Sequence, residues 1–281
     1  LCAFLFLIPE VQNKSAQWAQ SWLNQRYNWH LKVKSIQYQF PNQIQIKRAF
    51  FSDHQQDTLF YVGQLKAQIN LSTQAPYIQG LSKVEGDSLF FHLLKHPQQD
   101  SSNLQHFLAQ ISSSDTTNKK GVDLLFEDLK LTNSRFYFHN RTEPGNLSLR
   151  WDQAQTEVER LHLAGKNVSG LVKQLSFQDP RGFVVQDFQG DVFYGAKGLK
   201  VKDLQLSTSN SHLGGDLIFS YESPSAYSSF VDSVLMTVDI DFASVDARDI
   251  QYFAPAYPDF PTFRLAGHAE GPVNKLRLQE A

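Results

Sequence analysis

The chain has 281 residues, a net charge of −2 and a charged fraction of 19%. No basic block stands out, which excludes electrostatic recognition of nucleic acid. A single cysteine excludes an internal disulfide framework and a cysteine-built zinc site. The 22 phenylalanines, with tyrosines and β-branched residues beside them, favour strands.

Residues Leu1 to Ile8 read LCAFLFLI, without a charge or an amide, and Pro9 follows. A spanning helix needs about 20 apolar residues and a signal-peptide core about 7–15. The segment therefore fits the last turns of a transmembrane helix, or the remnant of a secretory signal. No small-x-small cleavage site stands near Pro9 and Glu10, which favours a retained anchor over 1–9. Cys2 leads into apolar residues rather than a polar tether, so it reads as an inert apolar side chain.

Residues 10–30 follow as an amphipathic helix. Val11, Ser15, Trp18, Trp22 and Arg26 share a 3–4 spacing, with Ala19, Leu23 and Tyr27 beside them. Either this stripe packs on a β body, or Trp18 and Trp22 lie at a membrane interface just outside a span.

From Leu31 the period becomes 2, and residues 31–281 read as one β-rich body. In LKVKSIQYQF the apolar phase moves from Leu31 and Val33 to Ile36, Tyr38 and Phe40. This predicts a bulge near Ser35. Pro41-Asn42 marks a turn before Ile44 and Ile46, and Asp53 to Asp57 a polar loop. The cleanest strand is Leu59 to Leu71. Leu89, Phe91 and Leu93 repeat its pattern. Residues 97–120 form an excursion in which Leu104, Phe107, Leu108 and Ile111 keep helical spacing.

Strands resume at Val122 and continue to the end, most clearly at Leu125–Leu131, Arg135–His139, Leu147–Trp151, Val184–Phe188, Leu199–Leu206, Leu213–Tyr221, Leu235–Phe242 and Phe263–Val273. Ala254 to Pro261 breaks the pattern with three prolines. The short connections suggest serial antiparallel hairpins. The expected fold is mainly β: a long curved antiparallel sheet, an open β-groove, behind an N-terminal anchor and helix. One apolar face of such a sheet must be closed by a second sheet, a helix or lipid. Its residues would be Leu59, Tyr61, Leu65, Ile69, Leu89 and Phe91 in the first half. Leu213, Leu217, Phe219, Val238, Ile240 and Phe242 would follow in the second. A closed core and an open groove look the same in sequence, because both are apolar.

Catalytic signatures are missing from this pattern. His92 and His96 have an i, i+4 spacing, but the preceding LFF is strand-like and no HExxH stands there. Asp53-His54 with Asp57 reads as a solvated turn. Gly214-Gly215 reads as a bulge within a strand. There is no GxSxG, GxGxxG or P-loop, so no enzyme, metal or cofactor is expected. The sequons at Asn13, Asn70, Asn140, Asn146 and Asn167 read as chance in an Asn- and Ser-rich chain.

The opening resembles the N-terminus of the TamB/AsmA-like family, in its Bacteroidota form. The matching positions are Pro9, Val11 and Gln12, then Asp53, Asp57, Thr58 and Leu59 before a long alternating strand. Later segments are similar as well: LSFQDPRGFVVQDFQGDV from Leu175, LKVKDLQLSTSNSHLGGDLIFSY from Leu199, and AEGPVNKLRL from Ala269. The resemblance implies a single-pass inner-membrane anchor and a periplasmic body in a Gram-negative envelope. It implies phospholipid moving along an apolar groove toward the outer membrane. It also implies help in outer-membrane protein assembly, through a barrel partner that other regions of the family's longer proteins engage. The alternative is a secreted or surface β-sandwich that acts as a structural or interaction module without lipid.

Overall fold

The computed structural model of the chain describes residues 9–27, 30–52, 55–71, 78–96, 102–112, 123–141, 148–165, 167–222, 234–253, 258–272, 275 and 277–279. The expected anchor before Pro9 lies outside them. Among the described residues no helix is long and apolar enough to cross a membrane. The chain divides into two compact units, Leu1–Gln155 and Thr156–Ala281.

The first unit holds helix α1 (Pro9–Tyr27) and strands β1 (His30–Gln39), β2 (Gln43–Ser52), β3 (Thr58–Leu71) and β4 (Ile78–Lys95). Helix α2 (Asn103–Ser112) and β5 (Asp123–Asn140) follow, and β6 (Ser148–Ala164) runs through the unit boundary. The second unit continues with β7 (Asn167–Gln178), β8 (Val184–Gly195), β9 (Gly198–Thr208), β10 (His212–Ser220) and β11 (Leu235–Val245). Helix α3 (Ala247–Phe253), β12 (Phe263–Pro272) and the short β13 (Arg277–Gln279) complete it. Within each unit, strands adjacent in the chain are adjacent in the sheet, and β1 and β13 are edges, so no barrel closes.

The sheet is mixed rather than wholly antiparallel: β4 and β5 run parallel. A parallel pair needs a crossover of about a dozen residues or more, and the excursion with α2 supplies it. Ser102 and Gln105 form a capping box at the start of α2. Gln105 N donates to Ser102 Oγ at 3.3 Å, and Ser102 N donates to Gln105 Oε1 at 2.9 Å. Asn103, 1% exposed, locks the helix to β4. Its Oδ1 accepts from Leu94 N at 3.0 Å and its Nδ2 donates to the His92 carbonyl at 2.8 Å. Phe107 then meets Phe51 edge-on at 4.8 Å, and Phe51 stacks on Phe60 at 5.1 Å.

The apolar phase shift seen at Ser35 has a different origin from a bulge. Val33↔Ala49 and Ser35↔Lys47 pair in one unbroken register. The change of phase instead follows a line that crosses the unit. Arg48 (φ 50°), Gly63, Ser88 (φ 56°) and Asn133 (φ 47°) occupy matching positions on β2, β3, β4 and β5. A left-handed residue leaves the extended conformation, so strict alternation of faces restarts one residue later. On one side of the line the apolar partners are Ala49, Val62 and Leu89; on the other they are Ile46, Leu65 and Gly86. Because β2, β4 and β5 carry their left-handed residue at the same level, with Gly63 of β3 between them, pairing survives. A Cβ at Gly63 would lie 2.8 Å from Ser88 Cβ, so the line also needs a glycine. Asp87 fastens it, accepting from Ser88 Oγ at 2.8 Å, Thr132 Oγ1 at 2.8 Å and Asn133 Nδ2 at 2.9 Å. These bonds hold the Asp87 carboxyl below its usual range.

The line also corrects the division at Leu131. Leu125–Leu131 and Arg135–His139 are one strand, because Asn133 is a kink and not a turn. Strand β7 and most of β6 lie outside the clearest predicted strands, and helix α3 was not expected. In α1 the tryptophan stripe is not the packing face. Trp18 is 71% exposed and Trp22 48%. The helix meets β1 through Gln20 and Asn24 instead. Gln20 Oε1 accepts from Val33 N at 2.8 Å, and Asn24 bonds both backbone groups of Leu31 at 2.9 and 2.8 Å.

Candidate functional site

The expected apolar face is split by the register in the first unit. Leu65 pairs with Gly86, and Ile69 with Leu81. Ile69 is buried and Leu65 half-buried. Above the kink line Tyr61 pairs with Phe90, whereas Leu89 pairs with Val62 and Phe91 with Phe60. Residues paired across strands share a face, so Tyr61 lies on the side opposite Leu89 and Phe91. Leu59 sits at the register shift between Phe51 and Ser52 and is wholly buried. Phe91 stacks with Phe136 at 5.9 Å, and Phe136 meets Trp151 at 5.0 Å, extending an aromatic row onto β5 and β6.

In the second unit the face is continuous. Val192, Val201, Leu217, Val238 and Ala269 form one cross-strand row over β8 to β12. Tyr194, Leu199, Phe219 and Met236 form the next row. Val201 and Ala269 are buried, whereas Leu217, Phe219 and Val238 are half-buried. Leu213 joins the same face beside Leu206 and Ala243, and Ile240 beside Gly215. Phe242 does not. The register shift between Ile240 and Ala243 turns it to the other side, opposite Gly214, and it is 54% exposed. A Cβ at Gly214 would come within 2.3 Å of the Phe242 ring, so the glycine is what admits that ring.

His92 and His96, the pair with metal-like spacing, do not converge. His92 Nε2 lies 2.8 Å from His139 Nδ1 on the neighbouring strand. His96 is buried, with its Nε2 3.5 Å from Asp57. Among the described residues no group of three or more His, Cys, Asp or Glu could hold a metal ion. The His92–His139 contact needs one nitrogen to donate and the other to accept. Burial, and then the charge of Arg141, hold His139 below its usual range. A base whose folded value is depressed contributes stability above its unfolded value, about 6.5. That stability is lost as pH falls from there through the lowered value. The melting temperature should therefore fall on acidification from about pH 7 to about pH 5, and less so in His139→Phe. Equal pH slopes in the two proteins would contradict the assignment.

A polar cluster that the sequence reading did not anticipate lies in the second unit. It surrounds an open cleft of about 490 Å³ lined by Arg181, Phe183, Asn210, Arg248, Gln251 and Tyr252. Asp179 is buried and accepts from Arg181 N, Nε and Nη2 at 2.9, 2.9 and 3.0 Å, and from Tyr252 Oη at 2.5 Å. The Tyr252 ring stacks on Phe183 at 4.6 Å, with the Arg181 guanidinium 4.3 Å from its centre. Burial, and then the bond to Asp179, push the Tyr252 hydroxyl well above its usual range. Asp249 accepts from Thr208 Oγ1 at 2.5 Å and Asn210 Nδ2 at 2.9 Å. The guanidinium and backbone of Arg248 hold the Asp246 carboxyl far below its usual range. A carboxylate held so low is a poor general base. What this arrangement does is fix α3 to the turns at 179–183 and 208–211. Its one sequence signal was Asp-Pro-Arg-Gly at 179–182, a turn composition.

Comparison with family models and with curated proteins finds no match to this chain.

Proposed function

We propose that the chain is a membrane-tethered envelope protein that shelters phospholipid acyl chains on the apolar faces of its sheet. In this reading Leu1–Ile8 belong to an inner-membrane anchor and the body lies in the periplasm of a Gram-negative cell. The sheet is the open, curved groove, and lipid passes along it toward the outer membrane. Assistance to a barrel partner in outer-membrane protein assembly belongs to the same reading and rests on the resemblance alone.

The observation that supports lipid shelter is the five-strand row Val192–Val201–Leu217–Val238–Ala269, with the Phe219 row beside it. Half-buried apolar side chains on one continuous face offer acyl chains about 0.8 kcal/mol per CH₂ removed from water. Head groups can stay wet at the rim, so passage needs no chemistry. The purified chain should take up a fluorescent-acyl phospholipid. Phe219→Asp, at a half-buried position, should weaken that uptake about tenfold while the circular dichroism spectrum stays that of a folded β protein. Unchanged uptake in the folded variant would count against this face as the lipid path.

A further inference from the structure

Helix α1 has two working faces on opposite sides. At about 100° per residue, Gln20 and Asn24 lie diametrically across the helix from Trp18 and Trp22. The amide face is occupied. β1 is an edge strand, and Gln20 and Asn24 bond the outward backbone groups of Leu31 and Val33 where a further strand would otherwise pair. The opposite face carries Trp18 and Trp22 with Lys14 and Gln25, all exposed. Immediately before the helix stand Leu1 to Ile8, without a charge or an amide.

We propose that α1 is a bracket between the sheet and a phospholipid bilayer, its tryptophan face seated at the boundary of head groups and acyl chains. Indole rings with polar neighbours suit that boundary, being apolar in body with one N–H donor. The apolar segment just upstream argues for a bilayer as the occupant, and Trp18 and Trp22 are the exposed aromatic residues on the side of the helix away from β1. The amide clamp then fixes the β1 edge one helix diameter, about 10 Å, from the membrane. This places the membrane end of the lipid path at β1. The inference rests on the membrane-tethered reading given above.

The test uses the full chain with Trp29→Phe and Trp151→Phe, so that only Trp18 and Trp22 emit. It is reconstituted in phosphatidylcholine vesicles whose acyl chains are brominated at shallow or deep positions. The expected result is a loss of about half the emission with shallow bromines and much less with deep ones. Emission that stays unquenched while the protein floats with the vesicles overturns the bracket and leaves the tether standing. Protein that does not float with vesicles overturns the tether, and the bracket with it. In the same chain, Gln20→Ala with Asn24→Ala should leave the quenching in place and speed amide exchange at Leu31 and Val33. Unchanged exchange there overturns the clamp.

Discussion

Ile69→Asp should unfold the first unit. Ile69 is 6% exposed near the C-terminal end of β3, paired with Leu81 on β4. Its backbone is tied to the β1–β2 turn as well: Ile69 N donates to the Asn42 carbonyl at 2.8 Å, and Asn42 Nδ2 donates to the Ile69 carbonyl at 3.1 Å. Removing a buried isoleucine costs about 2–5 kcal/mol. Burying a carboxylate in its place adds several kcal/mol more, whether it stays charged or takes up a proton. The sum rivals the whole stability of an ordinary domain, about 5–15 kcal/mol. Thermal melting followed by circular dichroism, with limited proteolysis of residues 30–140, should show the unit open at room temperature. Ile69→Val should cost only about 1 kcal/mol. A wild-type melt for Ile69→Asp would contradict the placement of this side chain. The consequence for lipid work is direct: Ile69 reports on stability, and Phe219 reports on the half-buried apolar face.

The kink line supplies the second large effect. Ser88→Val and Asn133→Val each force a β-branched residue into the left-handed region, which costs about 1–2 kcal/mol for an ordinary side chain and more for a branched one. Each also removes a hydrogen bond to Asp87. A loss of about 2 kcal/mol is expected for each change. The double variant should depart from additivity, because the two positions are neighbours and share Asp87. Ser88→Gly, which relieves the strain while giving up one exposed bond, should be close to neutral. Urea denaturation midpoints measure all four. Valine variants as stable as the parent would mean that the line is not strained.

These effects show what alternation in the sequence encodes and what it leaves out. β3 and the strands from β9 to β11 were legible because each carries apolar side chains at a period of 2 on either side of its kink or register shift. The direction of β5 was not legible, since a parallel and an antiparallel neighbour require the same alternation. Only the length of the excursion before it carried that information. The break between Leu131 and Arg135 falls on Asn133, and asparagine tolerates left-handed backbone both in turns and in kinks. The phase change at Ser35 was visible in one strand, but its cause lay in Arg48 on the strand opposite. Phe242 was misassigned because a register shift two residues away reversed its side. The cluster at Asp179, Arg181 and Tyr252 joins residues more than seventy positions apart in the chain, and no local spacing announces it. Residues lining a lipid path and residues closing a core obey the same pattern, so their separation rests on exposure: Leu217 and Phe219 are half-buried, while Leu59 and Ile69 are buried.

The most direct test of the central claim is native mass spectrometry of the full chain, extracted from a bacterial membrane in mild detergent. Phospholipid should be bound at a fixed ratio and lost in Phe219→Asp. A stable protein that carries no lipid would contradict it and favour a closed β core acting as an interaction module.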